Sequence, residues 1–212
     1  MKKFKLYIVD FDGTIINSFE GLKVFYRAIF GEIGHTVSDE ECYLFTKMSL
    51  QAAFEYKTHS SDPELIKRFR NKCDEVVATG ELLKHNVPFN DTIPFVNYIK
   101  EHNIKCGIVT GNVKTHVDMV LDNLGLNDFA SFMITSYDLK KQKPDPEGIL
   151  LSLEMANYKG DKKDVCYVGD AYNDFLAAKA AGVTPVMIDR HNEYKESYEY
   201  IVIKDLMELF ED

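Results

Sequence analysis

The sequence predicts an α/β fold, a parallel sheet with helices on both faces, interrupted by an inserted all-helical segment. Three observations carry this reading. Short apolar runs recur along the chain at 4–9, 104–109, 132–135, 165–168 and 185–188. From residue 92 onward, helical patterns separate them, as right-handed βαβ units require. Between residues 17 and 86 the apolar period is helical throughout, with no convincing strand.

Taken in order, Phe4 to Val9 reads as a buried strand. From Ser18, Leu22, Phe25, Tyr26, Ile29 and Phe30 recur at the i, i+3, i+4, i+7 spacing of a helical stripe, which Gly31 and Gly34 end. Two shorter helices are predicted over 39–45 and 49–56. A fourth has Asp62 as N-cap, Pro63 as its first residue and Gly80 at its end, with Leu65, Ile66, Phe69, Cys73, Val76 and Val77 as its stripe. After Val87-Pro88 a helix over 92–102 leads into the second strand. A helix carrying Val113, Val117, Val120 and Leu121 follows and closes at Gly125. The third strand precedes a helix opened by Pro146, and the fourth precedes a helix ending at Gly182. The fifth strand follows, with a sixth expected at 200–203. Because the first strand belongs with the later ones, the core is discontinuous. It comprises residues 1–16 and 87–212, a Rossmann-like arrangement, and residues 17–86 are a helical insertion.

Composition narrows the function. The 212-residue chain is 45% hydrophobic, enough for a packed core, and its net charge of −9 argues against a nucleic-acid partner. Cys42, Cys73, Cys106 and Cys166 are widely spaced with no CxxC, so reduced thiols in a cytoplasmic protein are expected. No apolar run approaches a membrane span. The six histidines form no HxxxH pair, so no zinc site is expected.

The polar residues at the predicted strand ends share one chemistry. Asp10 and Asp12 follow the first strand, Thr110 the second, Lys143 the third, and Asp170 the fourth, with Asp174 a turn later. In open α/β sheets that edge binds ligands. Asp10, Asp12, Asp170 and Asp174 would crowd negative charge there, which a hard cation such as Mg²⁺ relieves. Thr110 offers a hydroxyl, Gly111 and Asn112 offer N–H groups at a helix start, and Lys143 adds a positive point charge. Acids, metal, donors and a lysine suit phosphoryl transfer to or from a small phosphorylated metabolite. Taken singly, each piece has an ordinary reading: Asp12-Gly13 and Gly169-Asp170 as turns, Thr110-Gly111 as a βα loop, Lys143 as a solvated lysine.

In order, Asp10-Phe11-Asp12-Gly13-Thr14, Thr110 after a strand, Lys143 before Pro144, and Gly169-Asp170-Ala171-Tyr172-Asn173-Asp174 resemble the four motifs of the haloacid dehalogenase superfamily. The resemblance runs from residue 4 to about 188, and 17–86 looks like that family's small α-helical cap. It implies Asp10 as nucleophile and Asp12 as general acid/base. Thr110 and Lys143 become phosphate binders. Mg²⁺ is held by Asp10, the Asp12 carbonyl and Asp170, with Asp174 in support. An acid at position 12, which the dehalogenases of the superfamily lack, points to a phosphatase or phosphomutase. The nearest branch looks phosphoglycolate-phosphatase-like or nucleotidase-like. In the cap, the turn Thr46-Lys47-Met48-Ser49-Leu50 departs from relatives that often carry a glycine there. Thr46, Lys47 and Ser49 become the candidates for substrate choice. The competing readings are a phosphomutase of the β-phosphoglucomutase type, a phospho-aspartate signalling module and a silent binding protein on the same fold.

Overall fold

The computed structural model describes residues 3–195 and 197–211. These fall into two compact units, one of residues 1–17 and 88–212, the other of residues 18–87.

The first unit is built on strand β1 (Leu6–Val9), in which all four residues are buried. Chain order continues with β2 (Ile16–Asn17), helices α1 (Phe19–Glu32), α2 (Asp39–Thr46), α3 (Leu50–Thr58) and α4 (Pro63–Ala78), and β3 (Val87–Pro88). Then come α5 (Thr92–Glu101), β4 (Cys106–Val109), α6 (Lys114–Leu124), β5 (Phe132–Ile134) and α7 (Glu147–Met155). The chain closes with β6 (Val165–Gly169), α8 (Tyr172–Ala181), β7 (Thr184–Ile188), β8 (Ile201–Ile203) and a 3₁₀ turn at Leu206–Phe210.

Six strands form one sheet in the order β5-β4-β1-β6-β7-β8, every neighbour parallel. Tyr7 lies between Cys106 and Cys166, so β1 is the strand from which the order runs outward both ways. A crevice opens at such a reversal, beyond the carboxyl ends of the strands. Alternation sorts the side chains of β1 to two faces. Leu6 and Ile8 pack with Ile149 and Leu153 of α7 and with Ala177 and Ala178 of α8. Tyr7 meets Phe210, whose ring stacks on Phe95 and Tyr98 of α5. Burial of each such side chain is worth about 1.5–3 kcal/mol, which makes β1 the least removable element of the sheet.

The sequence reading has no counterpart to β2 and β3, which pair as a two-stranded ribbon. A two-residue strand spans one period of alternation and leaves no pattern to read. The other strands match the expected runs within two residues.

The second unit is a helical cluster with an aromatic centre. Phe30 of α1 lies 5.2 Å from Phe45 of α2 and 5.1 Å from Phe69 of α4, and Phe69 lies 4.9 Å from Phe54 of α3. Local signals set the helix ends. Ser38 and Glu41 form a capping box at α2, Asp62 caps α4 ahead of Pro63, and Gly80 takes a left-handed φ of 68° after it. Among the described residues, no helix is long and apolar enough to cross a membrane.

Candidate active site

Asp10 continues the sheet by one hydrogen bond, its N–H donating to the Val168 carbonyl at 2.8 Å. The chain then turns sharply. The N–H groups of Ile15 and Ile16 donate to the Phe11 carbonyl at 3.1 and 3.0 Å, and Gly13 N–H donates to the Ile16 carbonyl at 2.8 Å. Phe11 is fully buried and anchors this loop. Gly13 has φ 77°, and a Cβ there would stand 2.5 Å from the Asp170 carboxyl carbon. Glycine is therefore required twice over, for the backbone conformation and for room beside Asp170. Gly169 plays the second part for Asp174, whose carboxyl carbon would lie 2.3 Å from an added Cβ.

Carboxylate oxygens of Asp10, Asp170 and Asp174 lie within 4.8 Å of one another. Lys143 Nζ bridges two of them, 2.9 Å from Asp10 Oδ1 and 2.7 Å from Asp174 Oδ1. Asp174 is held further by Ala171 N–H at 2.9 Å and by the Tyr167 hydroxyl at 3.1 Å. Burial first, and then the charges of Asp174 and Asp170, hold the Asp10 carboxyl well above the ordinary carboxylate range, against the pull of Lys143. Burial works against the Lys143 ammonium, but Asp10 and Asp174 outweigh it and hold the group well above an ordinary lysine. Burial also pushes the Tyr167 phenol up, so it remains a hydroxyl donor.

Three carboxylates facing one ammonium leave surplus negative charge in a desolvated place. The donors are all hard oxygens, and the two glycines keep two of those carboxylates clear of side-chain bulk. This set fits a divalent cation of the Mg²⁺ type. The Asp12 carboxylate stands outside the cluster. Its Oδ2 accepts from Asn112 Nδ2 at 3.0 Å.

Thr110 is buried at the end of β4, its N–H donating to the Ile134 carbonyl at 3.0 Å. Helix α6 starts only at Lys114, so Gly111 and Asn112 precede the helix rather than open it. The reason is local. Asn112 N–H donates to Thr110 Oγ1 at 3.0 Å, and Asn112 Oδ1 accepts from Val113 N–H at 2.8 Å, a side-chain turn that competes with helix. Asn112 thus reaches the site through its side chain, beside Asp12. His116 of α6 is buried on that side. Burial lowers its basicity and the Asp12 charge acts the other way.

In the helical unit, the Thr46 hydroxyl donates to the Tyr43 carbonyl at 2.7 Å, and Ser49 caps α3 by accepting from Ala52 N–H. Lys47 ends α2 with its ammonium over the Tyr43 ring, 5.2 Å from the centroid.

Tyr167 and the Asn112 side chain have no sequence signal of their own. Tyr167 lies inside an apolar strand where an aromatic reads as core, and the sequence singles out Asn112 for its main-chain N–H rather than for its side chain.

The model of the haloacid dehalogenase-like hydrolase family matches residues 7–188. A phosphoglycolate phosphatase of Photorhabdus laumondii is 27% identical, the match covering 93% of this chain and 85% of that protein. A validoxylamine A 7′-phosphate phosphatase of Streptomyces hygroscopicus is 26% identical over 97% of this chain and 96% of its own. Among solved structures, a haloacid dehalogenase-like protein of Bacteroides fragilis superposes with a TM-score of 0.88 at 25% identity, covering 98% of this chain and all of its own. With a family match over most of its length, the chain belongs to the haloacid dehalogenase-like hydrolases.

Proposed function

We propose that the protein is a Mg²⁺-dependent phosphatase that hydrolyses a small phosphomonoester through a phosphate ester on Asp10. The observation that carries the reading is the bridge of Lys143 between Asp10 and Asp174, inside a three-carboxylate cluster at the ends of β1 and β6. The phosphatase names of the full-length relatives support it. We assign the protein to the reducing cytoplasm, which its four buried free thiols suit.

Asp10, Asp170, Asp174 and the Asp12 carbonyl are the groups that would hold Mg²⁺, whose charge would offset that of the phosphoryl oxygens. The remaining steps belong to the chain. Lys143 and Thr110 orient the phosphoryl group. Asp10 attacks phosphorus, forming an Asp10–O–P bond as the bond to the leaving oxygen breaks, and Asp12 gives that oxygen its proton. Asp12, now a carboxylate aimed by Asn112, takes a proton from water. The water oxygen attacks phosphorus, the Asp10–O–P bond breaks, and inorganic phosphate leaves.

Treatment with EDTA is expected to stop phosphate release from a panel of phosphorylated metabolites, and added Mg²⁺ to restore it. Full turnover of the metal-stripped protein would remove the cluster from the reaction. Isomerised product in place of free phosphate would make the enzyme a mutase.

The phosphoryl-binding residues address the part that all substrates share, so we assign discrimination among leaving groups to the 18–87 unit. Lys47 is the leading residue there, as the one charged side chain of the turn Thr46-Lys47-Met48-Ser49-Leu50. Lys47→Ala is expected to reorder kcat/KM across the panel while the Mg²⁺ requirement stays the same. An unchanged ranking would clear Lys47 of this role.

A further inference from the structure

Residues 189–194 follow β7 and fold back on themselves. Asp189 is buried, and its two carboxylate oxygens accept the N–H groups of Glu193 at 2.8 Å and Tyr194 at 3.3 Å. Its own N–H donates to the Ile203 carbonyl at 2.7 Å, which ties the segment to β8. Two side chains leave this fixed base for the main chain of the active site. Arg190 Nη2 donates to the Thr14 carbonyl at 2.6 Å, and Nη1 donates to Asp91 Oδ2 at 2.7 Å. The guanidinium lies over the Phe89 ring at 4.0 Å. Asp91 Oδ2 also accepts the Leu206 N–H at 2.8 Å. The Tyr194 hydroxyl donates to the Asp170 carbonyl at 2.7 Å.

We propose that residues 189–194 are a strap that sets the spacing of the two acidic loops, with Arg190 and Tyr194 as its positioning residues. The proposal rests on the phosphatase reading above. Thr14 directly follows Gly13, the loop residue with the freest backbone, so a tether on its carbonyl removes motion where the sequence most allows it. Asp170 offers its carboxylate to the cluster, and a bond to its own carbonyl fixes the peptide from which that carboxylate hangs. The strap thus grips one main-chain oxygen in each acidic loop, from a single base. Arginine suits the first contact because its planar fork serves Thr14 and Asp91 together, which a lysine ammonium does not reproduce.

The competing explanation is a buried ion pair that only stabilises the core, and two conservative variants of the full-length protein separate the two. Tyr194→Phe removes one oxygen and keeps the ring, which lies 6.2 Å from that of Tyr200. Its Mn²⁺ affinity, read by electron paramagnetic resonance of the free ion, is expected to fall about tenfold, the usual loss when a ligand's own partner is removed. Its melting temperature without metal is expected to match the wild type. Arg190→Lys keeps a charge for Asp91 and is expected to lower kcat about tenfold with KM unchanged, a loss of positioning rather than of binding. Lower melting temperatures with Mn²⁺ affinity and kcat intact would overturn the strap. Tyr194→Phe decides the question even where an arginine variant does not fold. A wild type that neither binds Mn²⁺ nor releases phosphate would sink the phosphatase reading itself, whereas an active wild type with unaffected variants sinks the strap alone.

Discussion

Asp10→Asn is expected to lower phosphate release by on the order of 10⁶-fold, the scale of losing a covalent nucleophile. The amide keeps the size of the side chain and its bond to the sheet, so the fold survives. It removes the oxygen that attacks phosphorus and one charge of the cluster. The companion variant Asp12→Asn gives the sharper reading. With an aryl or acyl phosphate, whose leaving oxygen needs little help from an acid, the first step proceeds and the second stalls. Acid-quenched mass spectrometry is expected to find the phosphoryl group on the peptide containing Asp10. Label on another residue, or normal turnover in Asp10→Asn, would overturn the assignment.

Lys143→Met is expected to have the largest effect on stability. The bridge between Asp10 and Asp174 is buried, and removing its ammonium leaves those carboxylates beside each other and Asp170. Stripping one partner from a buried pair costs about 3–5 kcal/mol. Methionine fills most of the lysine's volume, so the loss reports charge rather than a cavity. Because a divalent cation would neutralise the same carboxylates, the destabilisation is expected to be greatest in EDTA and to shrink with added Mg²⁺. Thermal melts in the two conditions check this. A variant that melts with the wild type in EDTA would show that the bridge does not balance the cluster. Activity is expected to fall by about 10²–10³-fold as well, the size of losing one preorganised donor to a developing negative charge.

The fold was legible because its main elements carry strong local signals. The stripes of α1 and α4 repeat a helical period several times, the runs of β1, β4 and β6 are continuously apolar and buried, and caps such as Asp62-Pro63 mark where a helix begins. The charged residues of the candidate site stood out in the sequence for another reason. Asp10, Asp12, Lys143, Asp170 and Asp174 lie just past predicted strand ends, and a parallel sheet gathers those ends at one edge. Tyr167, Arg190, Asp91 and Tyr194 were not legible. Tyr167 points from inside a strand and looks like core. Arg190 and Asp91 meet across almost a hundred positions of sequence, and no local pattern announces such a pairing. The late start of α6 was hidden as well, since it turns on which donor the Thr110 hydroxyl accepts.

The central position of β1 has a consequence for how the protein comes into being. Synthesis produces Asp10 well before its surroundings, since the strands that flank it, β4 and β6, emerge only after the whole helical unit has left the ribosome. Until residue 169 is made, β1 has at most one neighbour, and Asp10 has neither Asp170 nor Asp174 beside it. Pairing across such separations is slow, because the chain must close large loops before any contact rewards it. The helical unit, a single stretch of sequence, faces no such delay. The carboxylate cluster therefore assembles late and all at once, and a fragment broken off before β6 carries Asp10, the nucleophile of the proposed reaction, without Asp170 and Asp174.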